Sequence, residues 1–387
     1  MKFEWKPLGE IAEVTKLAGF EFTKYINYIE DGEIIALRAL NIRRGELDLS
    51  NVKRISKKIS EKLSRSKINR NDILLTYTGN SYGNCAIIDE SDKYHLAPNV
   101  CKIVPNQKLI DPYFLYCYIN STGFHKQMKN NVSGSAQPTI PMKAIRTLTI
   151  PVPKINVQKN ISKKIKLLDR KVRENKKLND NLTSLLDCIF NNFYQYANNE
   201  LSTKFETIAE IGSSNRIFAK EYKNVGIPFL RGKEISLLSQ GVMPTDTLFI
   251  SSERYQELKN VPNERDILIT SVGTIGNIYQ VEKFRLPFYY KDGNVIRITP
   301  KKGFENYIYL WLNSKLGKEA IVASTIGSTQ KALTISAIKK FELLIPNSHK
   351  LEKFNDVVGP IINLIQQNHK ESEDLQEVKS TLLKRYF

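Results

Sequence analysis

Residues 72–89 read DILLTYTGNSYGNCAIID, and residues 266–281 read DILITSVGTIGNIYQV. Each stretch begins with an aspartate and an apolar run typical of a buried strand, crosses a loop with two glycines, and enters a second strand-like run. Asp266 follows Asp72 by 194 positions, and other segments recur in the same order at nearly this offset. The pattern predicts that the chain contains two copies of one domain.

Several other pairs of segments support the duplication. They are LRALNI (37–42) and LRGKEI (230–235), NVCKIVP (99–105) and NVIRITP (294–300), YFLYCYINS (113–121) and YIYLWLNS (307–314), SGSAQPTI (133–140) and GSTQKALTI (327–335), and LGEIAEV (8–14) and FETIAEI (205–211). Each pair alone is weak evidence. A common order at a common offset is difficult to obtain by chance.

The composition restricts the class of protein. A chain of 387 residues with 41% hydrophobic residues can form two or three domains with real cores. Its net charge of +18 favours nucleic acid over an anionic membrane as a partner. We expect neither a membrane span nor a signal peptide, because the necessary apolar segments are missing from the sequence. The spacing of the four cysteines fits neither a disulfide framework nor a zinc site, which favours a reducing cytoplasm.

Segments 154–198 and 347–387 are rich in charge and repeat apolar residues every three or four positions, which predicts long helices. The first stripe is Ile161, Ile165, Leu168, Val172, Asn175, Leu182, Leu185, Ile189 and Phe193, and the second is Phe354, Val358, Ile361, Ile365, Asn368, Leu375, Val378, Leu382 and Tyr386. The stripes match position by position, with one asparagine in each. A narrow stripe with a polar residue favours a coiled coil over a helix lying on its own domain.

The predicted fold is therefore α+β, with two similar domains of mixed sheet and helices at residues 1–153 and 199–346. Long helices at 154–198 and 347–387 separate them. An internal pseudo-twofold repeat makes the two helices an antiparallel coiled coil. Helices of about 40 residues are about 60 Å long, so they can act as a ruler between the domains.

The glycine loops fit neither the dinucleotide-binding nor the P-loop pattern, because they join two strands and not a strand to a helix. Two readings remain: a hairpin turn that needs positive φ, or a tight loop whose polar neighbours reach a ligand. The polar neighbours are Thr78, Asn80, Ser81 and Tyr82 in the first copy, and Ser271 and Thr274 in the second, beside Val272. A shared frame with different tips suits two modules that read two different targets.

Two further groups of residues are candidates for DNA contact. Glutamine binds adenine well, and serine or threonine serves phosphate or base, whereas arginine and lysine at strand ends suit phosphate. The first group is Ser135 and Gln137 with Ser328, Gln330 and Lys331, and the second is Arg38, Asn41, Arg43 and Arg44 with Arg231 and Lys233. Polar turns before a strand, here IRTLTIPV (145–152), and solvated arginines are the competing explanations.

The tetrapeptide DPYF (111–114) resembles part of a methyltransferase motif, but the second proline of that motif is missing. Asp111 as a helix N-cap followed by Pro112 at the first helical position explains it better. We find no glycine-rich S-adenosylmethionine loop and no readable helicase, nuclease or Ser/His/Asp set. Catalysis by this chain alone is therefore not expected.

The chain resembles the specificity subunits of type I restriction–modification enzymes over essentially its whole length. The resemblance rests on WKPLGEIAEV (5–14), LRALNI (37–42), the first glycine hairpin, SGSAQPTI (133–140) and the exit IPVP (150–153) into a long helix, with the second-copy equivalents. It implies a non-catalytic subunit whose two target-recognition domains each read one half of a bipartite double-stranded DNA site.

The same resemblance implies partners: two methyltransferase subunits and two restriction or motor subunits. S-adenosylmethionine, ATP and Mg²⁺ are then expected in those partners, with no cofactor or metal in this chain. Two other functions stay open at this point. One is a stand-alone bipartite DNA-binding regulator, which would need no methyltransferase, and the other is a methyltransferase in its own right.

Overall fold

The computed structural model describes residues 4–43, 45–133, 138–195, 201–327 and 331–387. By its internal contacts the chain forms two compact units. Unit 1 contains Met1–Arg170 and Leu375–Phe387, and unit 2 contains Lys171–Asp374. Each of the two long helices therefore contributes one part to each unit.

Unit 1 contains small sheets covered by helices. Its strands are β1 (Glu4–Pro7), β2 (Ala12–Lys16), β3 (Ile34–Leu37), β4 (Ile42–Arg43), β5 (Glu46–Leu47), β6 (Lys53–Ile55), β7 (Lys67–Ile68), β8 (Ile73–Thr76), β9 (Cys85–Ile87), β10 (Tyr94–Leu96), β11 (Val100–Pro105) and β12 (Thr149–Val152). Its helices are α1 (Leu8–Ile11), α2 (Gly19–Tyr25), α3 (Lys57–Lys62), α4 (Pro112–Ile119), α5 (Thr122–Lys129), α6 (Met142–Thr147) and the first part of α7 (Ile155–Gln195). One sheet is antiparallel, β2-β11-β8-β9, and another, β6-β3-β10-β7, contains the parallel pair β3–β10.

Unit 2 repeats this arrangement. Its strands are β13 (Leu201–Lys204), β14 (Ala209–Gly212), β15 (Ile227–Leu230), β16 (Leu248–Ile250), β17 (Ile267–Thr270), β18 (Ile278–Gln280), β19 (Tyr289–Tyr290), β20 (Val295–Pro300) and β21 (Glu342–Ile345). Its helices are α8 (Gly232–Leu238), α9 (Ser252–Gln256), α10 (Glu305–Asn313), α11 (Lys315–Ala323), α12 (Ile335–Lys339) and most of α13 (Ser348–Tyr386). The sheet β14-β20-β17-β18 has the order of β2-β11-β8-β9, and β15–β19 is again parallel. The predicted α+β fold with an internal repeat is confirmed.

A buried ion pair marks the start of the glycine hairpin in both units. Lys102 lies 4.0 Å from Asp72, and Arg297 lies 3.7 Å from Asp266. Burial raises the pKa of both aspartates, while an N–H of the preceding turn and the paired cation act in the opposite direction. Each cation also donates to a backbone carbonyl ahead of the hairpin, that of Lys67 in β7 or of Val261, so the pair fixes where the first strand begins.

The long helices run antiparallel where they meet in unit 2, as predicted. Asn175 and Asn368 are buried, and the amide of Asn175 reaches the carbonyl of Asn368. One turn further, Asn179 donates to the carbonyl of Ile365 (3.2 Å) and accepts from the side chain of Asn368 (2.7 Å). The seam is thus a group of three asparagines, of which the sequence pattern identified two.

The predicted stripe is wrong near the end of α7. In the second stripe Val378 is 49% exposed, and at the end of α7 Leu185 is 47% exposed whereas Leu186 and Phe190 are buried. Here α7 packs on the core of the second domain, and a straight helix drifts by about 20° per heptad relative to a 3.5-residue repeat. The buried face therefore moves by one position, which a single extrapolated stripe does not follow.

The predicted N-cap of α4 is confirmed, and the predicted strand over residues 145–152 is too long. Asp111 caps α4 by accepting from the N–H groups of its first turn, with Pro112 as the first helical residue. The stretch 145–152 is not one strand, because α6 continues to Thr147 and β12 begins at Thr149.

Candidate nucleic-acid interface

The two glycine loops are hairpin turns with a common frame. Gly79 and Gly83 join β8 to β9, Gly273 and Gly276 join β17 to β18, and all four have φ between 78° and 89°. Only glycine adopts such angles without strain, so the prediction of a turn that needs positive φ is confirmed. A second strand follows each loop, which excludes the phosphate-binding turn at a helix start.

A threonine at the end of the first strand holds each loop. The hydroxyl of Thr76 donates to the carbonyl of Ser81, and the hydroxyl of Thr270 donates to the carbonyl of Thr274. These contacts leave the two tips exposed, with Asn80 in the first and Thr274 in the second. Thr78, Ser81 and Tyr82 are half-buried, and Tyr82 packs against the core.

Ser271 has a different position from the other predicted loop residues. It is buried, and its hydroxyl donates to the carbonyl of Gly293 at 3.3 Å. Its backbone joins the glycine loop to the neighbouring loops, since it accepts from the N–H of Leu333 and donates to the carbonyl of Asn294. Ser271 therefore holds the loops together.

A second loop lies beside each glycine loop. Thr78 pairs with Thr139 in unit 1, and Val272 pairs with Ala332 in unit 2. Lys331, next to Ala332, is exposed. The predicted contacts Ser135, Gln137, Ser328 and Gln330 lie outside the described residues. The described residues flanking these positions lie directly against the glycine loops.

The predicted basic group after β3 contains two different kinds of residue. Asn41 is fully buried, donates to the carbonyls of Asp48 and Asn51 (2.9 Å each), and accepts from the N–H of Arg38. The guanidinium of Arg38 donates to Asn51 at 2.9 and 3.0 Å. Arg43 is exposed and pairs with Asp48 at 2.8 Å. Asn41 thus shapes the loop, Arg43 reaches solvent, and Arg44 lies outside the described residues.

The equivalent group after β15 starts a helix that the sequence pattern did not identify. Arg231 is the N-cap of α8 and pairs with the buried Glu234, with nitrogen–oxygen distances of 3.1 and 2.6 Å. Burial would raise the pKa of Glu234, but the hydrogen bonds from Arg231 outweigh it and lower the pKa. Lys233 is exposed and lies 3.9 Å from the exposed Asp246. The charge of Lys233 is therefore less neutralised by a neighbouring carboxylate than that of Arg231.

Three predicted residues of unit 2 converge on one cleft of about 520 Å³, which we call the α8 cleft. They are Arg231, Lys233 and Thr274. The cleft is also lined by Gln240, Lys291 and Asn294, which the sequence analysis missed. In the first copy the position of Lys291 is occupied by Ala97, since the N–H of each donates to the last carbonyl of β15 or β3, so the comparison of repeats gave no signal for it.

The described residues contain no group of three or more His, Cys, Asp or Glu side chains arranged to hold a metal ion. Within the same ranges, no helix combines the length and apolarity required to cross a membrane.

The chain thus contains two copies of one α+β domain, each with basic and polar side chains on paired loops. The sequence matches the family described as the type I restriction modification DNA specificity domain over residues 2–184 and 202–377. These matches cover most of the chain, which therefore belongs to this family.

Curated relatives agree with this family. The chain is 32% identical to the EcoBI specificity subunit of Escherichia coli, over 36% of this chain and 29% of that protein. It is 23% identical to the MjaIX specificity subunit of Methanocaldococcus jannaschii, over 73% and 69% of the two chains. It is 21% identical to the HindI specificity subunit of Haemophilus influenzae, over 99% and 98%.

One solved structure shares the fold across the full chain. It is the S subunit of a type I restriction–modification system from M. genitalium, with a TM-score of 0.60 and 15% identity over 100% of this chain and 96% of that one. At this identity the likeness concerns the fold alone.

Proposed function

We propose that the chain is a non-catalytic DNA-specificity subunit that reads a bipartite double-stranded site, one half with each domain. The observation that carries the proposal is the common hairpin frame with different exposed tips, Asn80 in one copy and Thr274 in the other. Two copies that served one common ligand would be expected to keep the same tips.

Affinity and sequence choice come from different residues in this proposal. Exposed cations such as Arg43, Lys233 and Lys331 contact phosphate and provide most of the affinity. The loop tips, together with Gln137 and Gln330, contact base edges and provide discrimination. Arg38 and Arg231 mainly hold the segments that follow β3 and β15, because their guanidinium groups are bound to Asn51 and Glu234.

The long helices fix the separation of the half-sites in this proposal. Support comes from the continuous helices α7 and α13, of 41 and 39 residues, and from the asparagine seam that sets their register. The number of base pairs between the half-sites is then fixed, but their sequence is not recognised.

Catalysis belongs to the partners in this proposal. Two methyltransferase subunits would bind S-adenosylmethionine and flip the target adenine out of the duplex, and two restriction or motor subunits would use ATP and Mg²⁺. The complex would act on DNA in the cytoplasm.

The test is to express the chain with a type I methyltransferase subunit from its own host and to map methylated adenines in the host DNA. We expect a motif of two short half-sites with a fixed unread spacer, and loss of methylation when this chain is omitted. A continuous motif, or methylation that persists without the chain, would refute the proposal. A chain that binds a bipartite site but never assembles with the methyltransferase would instead be a regulator.

A further inference from the structure

A second repeated element precedes the basic groups described above. Residues 15–22 read TKLAGFEF, and residues 215–222 read NRIFAKEY, an offset of 200 positions. Leu17 and Ile217 occupy the same place in the element, and both are buried. The duplication therefore extends into a segment where the sequences share few identities.

The same backbone turn follows in both copies. The N–H of Ala18 donates to the carboxylate of Glu21 at 3.2 Å, and the N–H of Phe218 donates to Glu221 at 2.7 Å. In each copy this turn begins α2 or a short 3₁₀ helix. The turn fixes the direction of the basic residue two positions before its cap.

That basic residue lies beside the glycine loop of its own domain. The ammonium of Lys16 is 5.5 Å from the ring centre of Tyr77, the first residue after β8. Arg216 lines a cleft together with Val272, the second residue after β17. Both cations are exposed.

Phe218 distinguishes the second copy from the first. Its ring is 53% exposed, and the guanidinium carbon of Arg216 lies 5.4 Å from the ring centre. The ring lines a cleft of about 680 Å³, which we call the Phe218 cleft, with Lys291 and one carboxylate, Asp292. The corresponding residue in the first copy is Ala18.

We propose that Lys16 and Arg216 are matched DNA-phosphate contacts, one in each domain, and that Phe218 contacts a base in the second half-site. The proposal rests on the proposed function. Exposed cations beside the loops suit phosphate oxygens, and a phenylalanine ring suits the methyl group of thymine. The first domain has Ala18 at the corresponding position, so the base contact is assigned to the second half-site alone.

The experiment uses the full chain assembled with its methyltransferase subunit. A randomised double-stranded DNA pool is captured and sequenced, and the enriched duplex and a scrambled one are then titrated at several salt concentrations. The variants are Lys16→Ala, Arg216→Ala and Phe218→Ala. Lys220→Ala is the charge control, because Lys220 is exposed in the same turn as Phe218 but does not line the cleft. Val225→Ala is the apolar control, since Val225 is 78% exposed.

Each cation variant should weaken binding to both duplexes and leave the enriched sequence unchanged. One lost phosphate contact lowers the salt slope by about one, so between 50 and 200 mM salt the variant should lose about fourfold less affinity than the unmodified chain. Phe218→Ala should keep the salt slope and reduce preference at one base pair of the second half-site on the order of tenfold.

Cation variants that behave like Lys220→Ala would overturn the phosphate assignment. A Phe218→Ala variant that enriches the same two half-sites as the unmodified chain would overturn the base contact. So would a Phe218→Ala variant that weakens binding to all duplexes equally while Val225→Ala leaves binding unchanged. If the unmodified complex enriches no bipartite sequence, the proposed function itself fails. If it enriches one while every variant matches its control, this inference alone fails.

Discussion

The two glycine hairpins share a frame at their loops but differ in the turn that follows their second strand. In the first domain this turn is held by a surface contact. Asp92 is 75% exposed on its side chain and pairs with Lys67 at 2.9 Å. Exposed pairs of this kind contribute little to stability, because water and salt screen them.

In the second domain the same region carries a buried cluster that reaches α13. Glu282 is hydrogen-bonded to His369 at 2.6 Å and pairs with Arg285. Arg285 also pairs with Glu373, one turn after His369 on α13. Burial would raise the pKa of Glu282, but these contacts outweigh it and lower the pKa.

Some of these contacts are common to both copies, and the anchor to α13 belongs to the second copy. Both hairpins keep the buried ion pair at their start and the threonine that holds the loop, because the loop geometry depends on them. The anchor to α13 connects residues that are far apart in sequence, and the hairpin that carries it keeps the same frame as the first hairpin. We therefore expect the second domain to depend on α13 charges.

The largest expected effect concerns exchange of a whole domain. Replacing residues 199–346 with the matching domain of another family member should change one half of the methylated site and leave the other half unchanged. The exchange also removes the partners of His369 and Glu373 on α13. A second exchange that carries the donor's residues at these two positions should give the same new half-site with a more stable protein.

Mapping methylated adenines checks the specificity of both exchange variants, and urea unfolding checks their stability. A change in both half-sites would contradict independent reading by the two domains. Equal stability of the two variants would show that the anchor is not needed.

A smaller effect compares the two anchors directly. Arg285→Ala leaves the buried Glu282 and the half-buried Glu373 without the guanidinium that pairs with both, and should reduce the free energy of unfolding of unit 2 by about 3–5 kcal/mol. Lys67→Ala removes the surface pair of the first domain and should change the free energy of unfolding much less than Arg285→Ala does, because water and salt screen that pair.

The two tryptophans allow each unit to be followed separately, because Trp5 lies in unit 1 and Trp311 in unit 2. Urea unfolding in Trp5→Phe and Trp311→Phe backgrounds should show the Arg285→Ala effect in the Trp311 signal. Equal losses for Arg285→Ala and Lys67→Ala would remove the distinction between the anchors.

The repeat, the long helices and the hairpins could be predicted because they leave periodic or local signals in the sequence. Alternation, helical spacing and paired glycines depend on neighbours only a few residues away. Cap residues such as Asp111 are local in the same sense. Each of these predictions is confirmed.

Other features depend on contacts between distant residues and gave no signal. Asn41 resembles a polar contact residue in sequence, but the loop that folds over it makes it a buried support. Arg231 is partly neutralised by Glu234 only because a helix forms there. Lys291 lines the α8 cleft because of the order of the strands in the sheet. His369 is hydrogen-bonded to Glu282, which lies 87 positions earlier in the sequence.

The asparagine seam offers a third comparison, between a buried position of α13 and an exposed position of α7. Asn368→Leu removes the donor to the buried side-chain oxygen of Asn179 and leaves that oxygen without this hydrogen bond, which should cost about 1–3 kcal/mol in the Trp311 signal. Asn181→Leu, at an exposed position of α7, should change the free energy of unfolding by less than about 0.5 kcal/mol. A stabilised Asn368→Leu protein with an unaltered spacer in its methylated site would show that the seam does not set the register.

The smallest expected effect compares how strongly an exposed cation of each domain contributes to binding of the DNA phosphates. Arg43 and Lys233 are both exposed, and each lies near one acidic side chain, Asp48 at 2.8 Å and Asp246 at 3.9 Å. Alanine at either position should weaken enriched and scrambled duplexes alike and lower the salt slope by about one. Because the closer carboxylate already neutralises part of the charge of Arg43, we expect the smaller loss of affinity for Arg43→Ala. Titration of both duplexes at several salt concentrations measures the two losses side by side. A loss confined to the enriched duplex would instead identify that residue as a base reader.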